Sequence, residues 1–207
     1  MNAFKEGLEK HIPQGFAAFL GRVRIGIIGA GGLGSNCAAH LVRSGFSNLV
    51  LADADTVEAS NLNRQHFTLA QIGRPKVLAL RENLLAINPA ARIEVHRLHA
   101  DAGNMPGLFA ACDAVVEAVD DPQVKKLIVE TLAPVTGLLV GASGMGGFGR
   151  AGQMRARTLR PGLVIVGDHA TPCAITTPAM SPGVGMAAAM QADVVLNHFH
   201  SIYKELA

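Results

Sequence analysis

Gly29, Gly31 and Gly34 stand in the spacing G-x-G-x-x-G, with Gly32 between them. They follow a β-branched run, residues 23–28, and open a segment of helical periodicity over 33–43. Glycine at these spacings serves phosphate chemistry. The turn is tight, the backbone must approach a phosphate closely, and the helix must pack on the strand. The helix N-terminus then presents free N–H groups and a partial positive charge. Asp53 ends a second such run, 48–53, and follows Gly34 by 19 residues. At that distance a carboxylate reaches a ribose hydroxyl. The order strand, turn, helix, strand, acid therefore predicts a ligand bearing both ribose and phosphate.

A nicotinamide dinucleotide and a nucleoside triphosphate share those elements, so the next residues must choose between them. Asp55, Asn61, Arg64 and Gln65 lie close together in a polar stretch, Lys76 begins a predicted helix, and Asp120 and Asp121 follow a fourth strand. In a parallel sheet, ligand groups gather at the carboxyl ends of the strands. Two cations beside a pair of carboxylates suit ATP with Mg²⁺: Arg and Lys hold phosphate oxygens, and a carboxylate holds the hydrated metal. Lys76 at a helix start opposes the helix dipole unless an anion lies nearby. Structural alternatives stand beside these roles. Arg64 is within reach of pairing with Asp55 on the surface, and Asp120 and Asp121 suit the cap of the helix that Pro122 begins.

The elements that must position these groups are legible from pattern. Strands are expected at 23–28, 48–53, 92–97, 113–119 and 137–141, with helices at 33–43, 76–87 and 122–132 between them. Such alternation calls for a Rossmann-like α/β fold, a mostly parallel sheet with helices on both faces. A hairpin over 153–166, turning at Arg160-Pro-Gly162, a loop over 167–182 and a final helix over 186–203 complete it. Residues 1–21 form a helical extension of one or two short helices, and 1–207 reads as one domain.

Composition narrows the class. Hydrophobic residues are 49% and charged residues 16%, which suits a sheet covered on both faces. Aromatics are 4% with no Trp, so a base-stacking nucleic-acid platform is not expected. A net charge of +2 calls for neither a nucleic acid nor a membrane partner. No apolar run reaches membrane-spanning length. The amino terminus has no signal-peptide core, and three scattered cysteines form no disulfide framework, which places the chain in the cytoplasm. Cys37 and Cys112 adjoin apolar runs and should be core, whereas Cys173 sits in a loop. His198 and His200 point to different helix faces and are expected in solvent.

Gly29–Ser35, Asp53-Ala-Asp55, Ser60-Asn-Leu-Asn-Arg-Gln65, Gly73-Arg-Pro-Lys76 and Ser181-Pro-Gly-Val-Gly185 resemble the ThiF/MoeB/HesA family, relatives of the ubiquitin-activating enzymes. The resemblance implies an adenylyltransferase that joins AMP to the C-terminal glycine of a small ubiquitin-like sulfur carrier. By position, Asp53 would hold the ribose, Asn61, Arg64 and Lys76 the phosphates, and Asp120 the Mg²⁺. The short length is similar to the ThiF branch, whose carrier is ThiS of thiamine thiazole synthesis, and a homodimer is a family expectation. The chain departs from the family in three places. It lacks the two Cys-x-x-Cys pairs of the structural zinc site, so no zinc is expected. Residues 1–21 contain no arginine to stand for the family's N-terminal Arg-Tyr-x-Arg-Gln. Cys173 lies in the region where some members use a loop thiol, with a sulfur donor as a further partner. The alternatives are an NAD-dependent oxidoreductase, a tRNA-modifying dehydratase of the same family and a non-catalytic nucleotide-binding relative.

Overall fold

The computed structural model describes residues 2–206; Met1 and Ala207 of the expected 1–207 domain lie outside them. Seven strands form one sheet in the order β3-β2-β1-β4-β5-β7-β6. The strands are β1 (Arg24–Ile28), β2 (Asn48–Ala52), β3 (Arg92–His96), β4 (Ala114–Glu117), β5 (Leu138–Ala142), β6 (Arg155–Arg160) and β7 (Leu163–Gly167). All neighbours are parallel except β6 and β7. The expected hairpin is present, but it is no separate unit: β7 pairs with β5 and extends the same sheet.

Helices cover both faces, as a sheet of near-continuous apolar runs requires. On one face, α3 (Gly32–Arg43), α4 (Lys76–Ile87) and α7 (Ser181–Leu206) bury Leu41, Leu80 and Val195 against Ile25, Leu49 and Val140. On the other, α5 (Met105–Phe109) and α6 (Pro122–Leu132) bury Phe109 and Ile128 against Val50, Val115 and Leu139. In the extension, α1 (Ala3–Glu9) and α2 (Phe16–Leu20) are the two short helices expected. Phe16 and Leu20 join the first core, and the Tyr203 hydroxyl donates to the Gln14 carbonyl.

Three local readings differ from the structure. The helix α5 was not expected, because Pro106 and Gly107 mask the pairing of Met105 and Phe109, both fully buried at i and i+4. The final helix starts at Ser181 rather than Met186. Pro182 loses no hydrogen bond in a first turn, and Gly183 faces the Gly147 carbonyl, 3.4 Å from where a Cβ would sit. Close packing there offsets the low helix propensity of Gly183. Finally, His198 and His200 are half-buried rather than solvated, each against a phenylalanine ring.

Candidate active site

A cavity of about 410 Å³ opens over the carboxyl ends of β1, β2 and β4, where the strand order reverses. Gly29 turns the chain at the end of β1 with φ of 96°, a left-handed value that favours glycine. A Cβ there would sit 2.6 Å from the Ala118 carbonyl oxygen. Gly31 and Gly32 line the cavity, and no side chain caps α3, so its first-turn N–H groups are available to an anion. Gly34 does not line the cavity; it lets α3 press onto the Gly29 carbonyl.

Asp53 is fixed by the turn it faces. Its Oδ2 accepts the Ala30 N–H at 2.6 Å and its Oδ1 the Asp55 N–H at 2.8 Å. Two hydrogen bonds leave a carboxylate further lone pairs for a ligand. Lys76 is buried at the start of α4, and its Nζ donates to Asp55 Oδ2 at 2.8 Å. Asp55 thus pairs with Lys76, and the alternative pairing of Arg64 with Asp55 is not found. Arg64 Nη1 instead donates to the Ser60 carbonyl and to Asn63 Oδ1, at 3.1 and 2.7 Å. No carboxylate pairs with Arg64 among the described residues, so its charge stands uncompensated on the cavity wall. Ser35 and Asn36 of α3 hold that loop in place: Ser35 Oγ accepts the His66 N–H, and Asn36 Nδ2 donates to the Arg64 carbonyl.

Asn61 is not on the cavity wall. It is buried, and its carboxamide oxygen accepts the Glu58 N–H, closing a 3-10 turn, Ala59–Asn61. Gln65 is on the wall, and its Oε1 is buried without a partner among the described residues. A buried acceptor left open is costly, and a ligand donor would satisfy it. Asp120 and Asp121 both line the cavity but differ in commitment. Asp121 Oδ1 caps α6 by accepting the Gln123 and Val124 N–H groups at 2.7 and 3.3 Å. The exposed Asp120 carboxylate has no such bond.

Pattern reading missed Leu98, Ala100 and Val124, which form an apolar part of the wall suited to a flat base. The rule that located Asp53 and Asp120, applied to the carboxyl end of β3, would have found residues 98–100. Cys37 and Cys112 are core, as expected, and Cys173 is exposed at the cavity edge. Its loop is anchored by Asp168, whose carboxylate burial alone would raise. The Thr171 hydroxyl and N–H, the Ala170 N–H and Arg150 outweigh burial and hold it down at about 2. Partial burial pushes the Cys173 thiol up, more than nearby Arg64 and Lys125 lower it. Iodoacetamide labelling of Cys173 is therefore expected to keep rising with pH past the ordinary thiol value of 9.0. A rate that levels off below that pH, followed by mass spectrometry, would show an activated thiol instead.

The sequence model of the ThiF family matches residues 8–202. The chain belongs to the ThiF family. Among curated proteins this ThiF-family chain is 38% identical over 121 residues to adenylyltransferase and sulfurtransferase uba4 of Aspergillus niger. It is 34% identical over 110 residues to the probable adenylyltransferase/sulfurtransferase MoeZ of Mycobacterium tuberculosis. These matches cover 58% and 53% of the chain but only 25% and 28% of those longer proteins. Among solved structures, E. coli tRNA N6-threonylcarbamoyladenosine dehydratase, TcdA, in complex with AMP superposes with a TM-score of 0.86 at 19% identity. That likeness covers 96% of this chain and 95% of TcdA. E. coli MccB with ATP gives 0.71 at 20% identity, over 88% of this chain and 57% of MccB. These likenesses show the ThiF-like fold.

Proposed function

We propose that this ThiF-family chain uses ATP to adenylate the C-terminal glycine of a small ubiquitin-like sulfur carrier, releasing pyrophosphate. One observation carries the reading: a single cavity joins the uncapped N-terminus of α3, the uncompensated Arg64, the buried Lys76 and the uncommitted Asp120. A dinucleotide would not call for Arg64, Lys76 and Asp120 together; a triphosphate would. Asp53 would hold the ribose, and the slot of Leu98, Ala100 and Val124 the base. Asp120 would hold Mg²⁺, whose part is to neutralise phosphate charge. Mg²⁺ keeps most of its waters and takes one or two carboxylates, so a single Asp fits.

The carrier's carboxylate is ionised at neutral pH and attacks the α-phosphorus in line, so no general base is required. Arg64 and Lys76 lower the barrier by stabilising charge on the transferring phosphate. A ThiS-like carrier in thiamine thiazole synthesis, a homodimer and a cytoplasmic setting complete the proposal. Carrier-dependent ATP–pyrophosphate exchange tests it, with a carrier ending in Gly-Gly as the probe. A second reading, tRNA modification, is favoured by the near-complete mutual coverage with TcdA. If tRNA supports adenylation while the carrier does not, that second reading replaces the first.

A further inference from the structure

A charged pair lies beneath the cavity, and the roles assigned above do not use it. Glu117, at the end of β4, is 2% exposed. Lys125 Nζ, reaching in from α6, donates to both of its carboxylate oxygens at 2.8 and 3.0 Å. The same ammonium donates to the Ala142 carbonyl at the end of β5, 3.1 Å away, so all three of its hydrogens are engaged. Glu117 Oε1 also accepts the Val119 N–H at 2.9 Å, and the Glu117 carbonyl accepts Gln191 Nε2 from α7 at 2.9 Å. The pair thus joins β4, β5 and α6 directly, and α7 through Gln191. Gly141 leaves room for it, since a Cβ there would lie 3.0 Å from Glu117 Oε2.

Such a pair is a poor source of stability. Removing two charges from water costs about as much as their attraction returns, and an apolar pair of similar volume would stabilise the fold as well or better. Burial raises the Glu117 carboxyl above its ordinary range despite Lys125 and the Val119 N–H, which is the mark of that cost. What the charges supply, and an apolar pair would not, is direction for the backbone. The Glu117 carboxylate closes residues 117–119 into a fixed turn, and Asp121 closes 121–124 by capping α6. Asp120 lies between two side-chain-closed turns and has no hydrogen bond of its own among the described residues.

We propose that Glu117 and Lys125 are positioning residues that aim the Asp120 carboxylate at the bound nucleotide; the role of Asp120 rests on the adenylation reading above. Misplacing a reacting or ligating group by about 1 Å can cost about 10²-fold in rate, so a pair that fixes the backbone on both sides of Asp120 has leverage on catalysis.

A double-mutant cycle on the full chain tests this. Lys125→Met alone leaves a buried carboxylate and risks unfolding, so the decisive variant is the paired Glu117→Leu/Lys125→Met, which removes both charges. Its thermal midpoint is expected to stay within a few degrees of wild type. Carrier-dependent ATP–pyrophosphate exchange is expected to fall about 30-fold with Asp120 present, and less than about threefold in an Asp120→Asn background. Equal losses in the two backgrounds, or wild-type exchange in the paired variant, would overturn the proposal. Mg-ATP affinity, measured by calorimetry on the same four proteins, keeps the two readings separate. If wild type binds Mg-ATP but catalyses no exchange, the adenylation reading fails. The positioning proposal then stands or falls on whether the affinity losses are non-additive. If wild type binds no Mg-ATP, both fail.

Discussion

Arg64→Ala and Lys76→Ala are each expected to lower carrier-dependent ATP–pyrophosphate exchange by about 100-fold or more, the usual loss when a charge-stabilising donor is removed. Arg64 is already held in place by the Ser60 carbonyl and Asn63, neither of which neutralises it. Its full charge is therefore available to a phosphate without reorganisation. Lys76 acts differently. Its side chain is 9% exposed while that of its partner Asp55 is 61% exposed. Removing Lys76 deletes a buried side chain and leaves the Asp55 carboxylate on the phosphate side of the cavity with nothing to offset it. Arg64→Ala should thus keep a thermal midpoint close to wild type, because Arg64 pairs with no carboxylate among the described residues. Lys76→Ala should lower it through the lost packing of the buried stem. Exchange collapses in both. Wild-type exchange in either variant would remove that residue from the mechanism.

The contrast between Arg64 and Asn61 shows how far the sequence carries. Ser60–Gln65 reads as one polar cluster with interchangeable hydrogen-bonding residues. Folding separates them: Arg64 and Gln65 reach the cavity, whereas Asn61 turns inward to cap its own turn. Periodicity cannot distinguish these fates, because a 3-10 turn of three residues has no apolar stripe to orient it. Strands were legible for the opposite reason. Residues 25–28, 49–52 and 138–142 are buried on both faces and so appear as unbroken apolar runs. The pair Glu117–Lys125 was hidden by those same runs, since Glu117 looks like a solvated interruption of a strand until Lys125 arrives from α6, eight residues on. Likewise, Asp120 and Asp121 are chemically identical neighbours, and only the cap geometry of α6 commits one and leaves the other free.

The glycine turn gives the other large effect, because its three glycines are needed for different reasons. At Gly34 a Cβ would overlap the Gly29 carbonyl oxygen and lie 3.2 Å from the Ala118 Cβ. The obstruction is backbone, so no rotamer change relieves it, and α3 would have to lift off β1. Gly34→Ala is expected to cost about 3 kcal/mol, the upper end for overpacking a tight contact, read as a lower urea midpoint with an unchanged slope. At Gly31 the backbone is extended, with φ of −78°, and the nearest atom to a Cβ is Gln65 Nε2 at 3.8 Å. Gly31→Ala should therefore fold within about 1 kcal/mol of wild type, the scale of a changed N-cap. Its methyl group projects into space a phosphate needs, so Mg-ATP affinity should fall about tenfold or more, by the close-approach requirement for this glycine. Calorimetry beside urea unfolding separates the two. If Gly31→Ala binds Mg-ATP as wild type does, the phosphate does not sit on the N-terminus of α3, and the ligand must enter the cavity in another orientation. If Gly34→Ala is as stable as wild type, the contact between α3 and the Gly29 carbonyl is not what holds the turn.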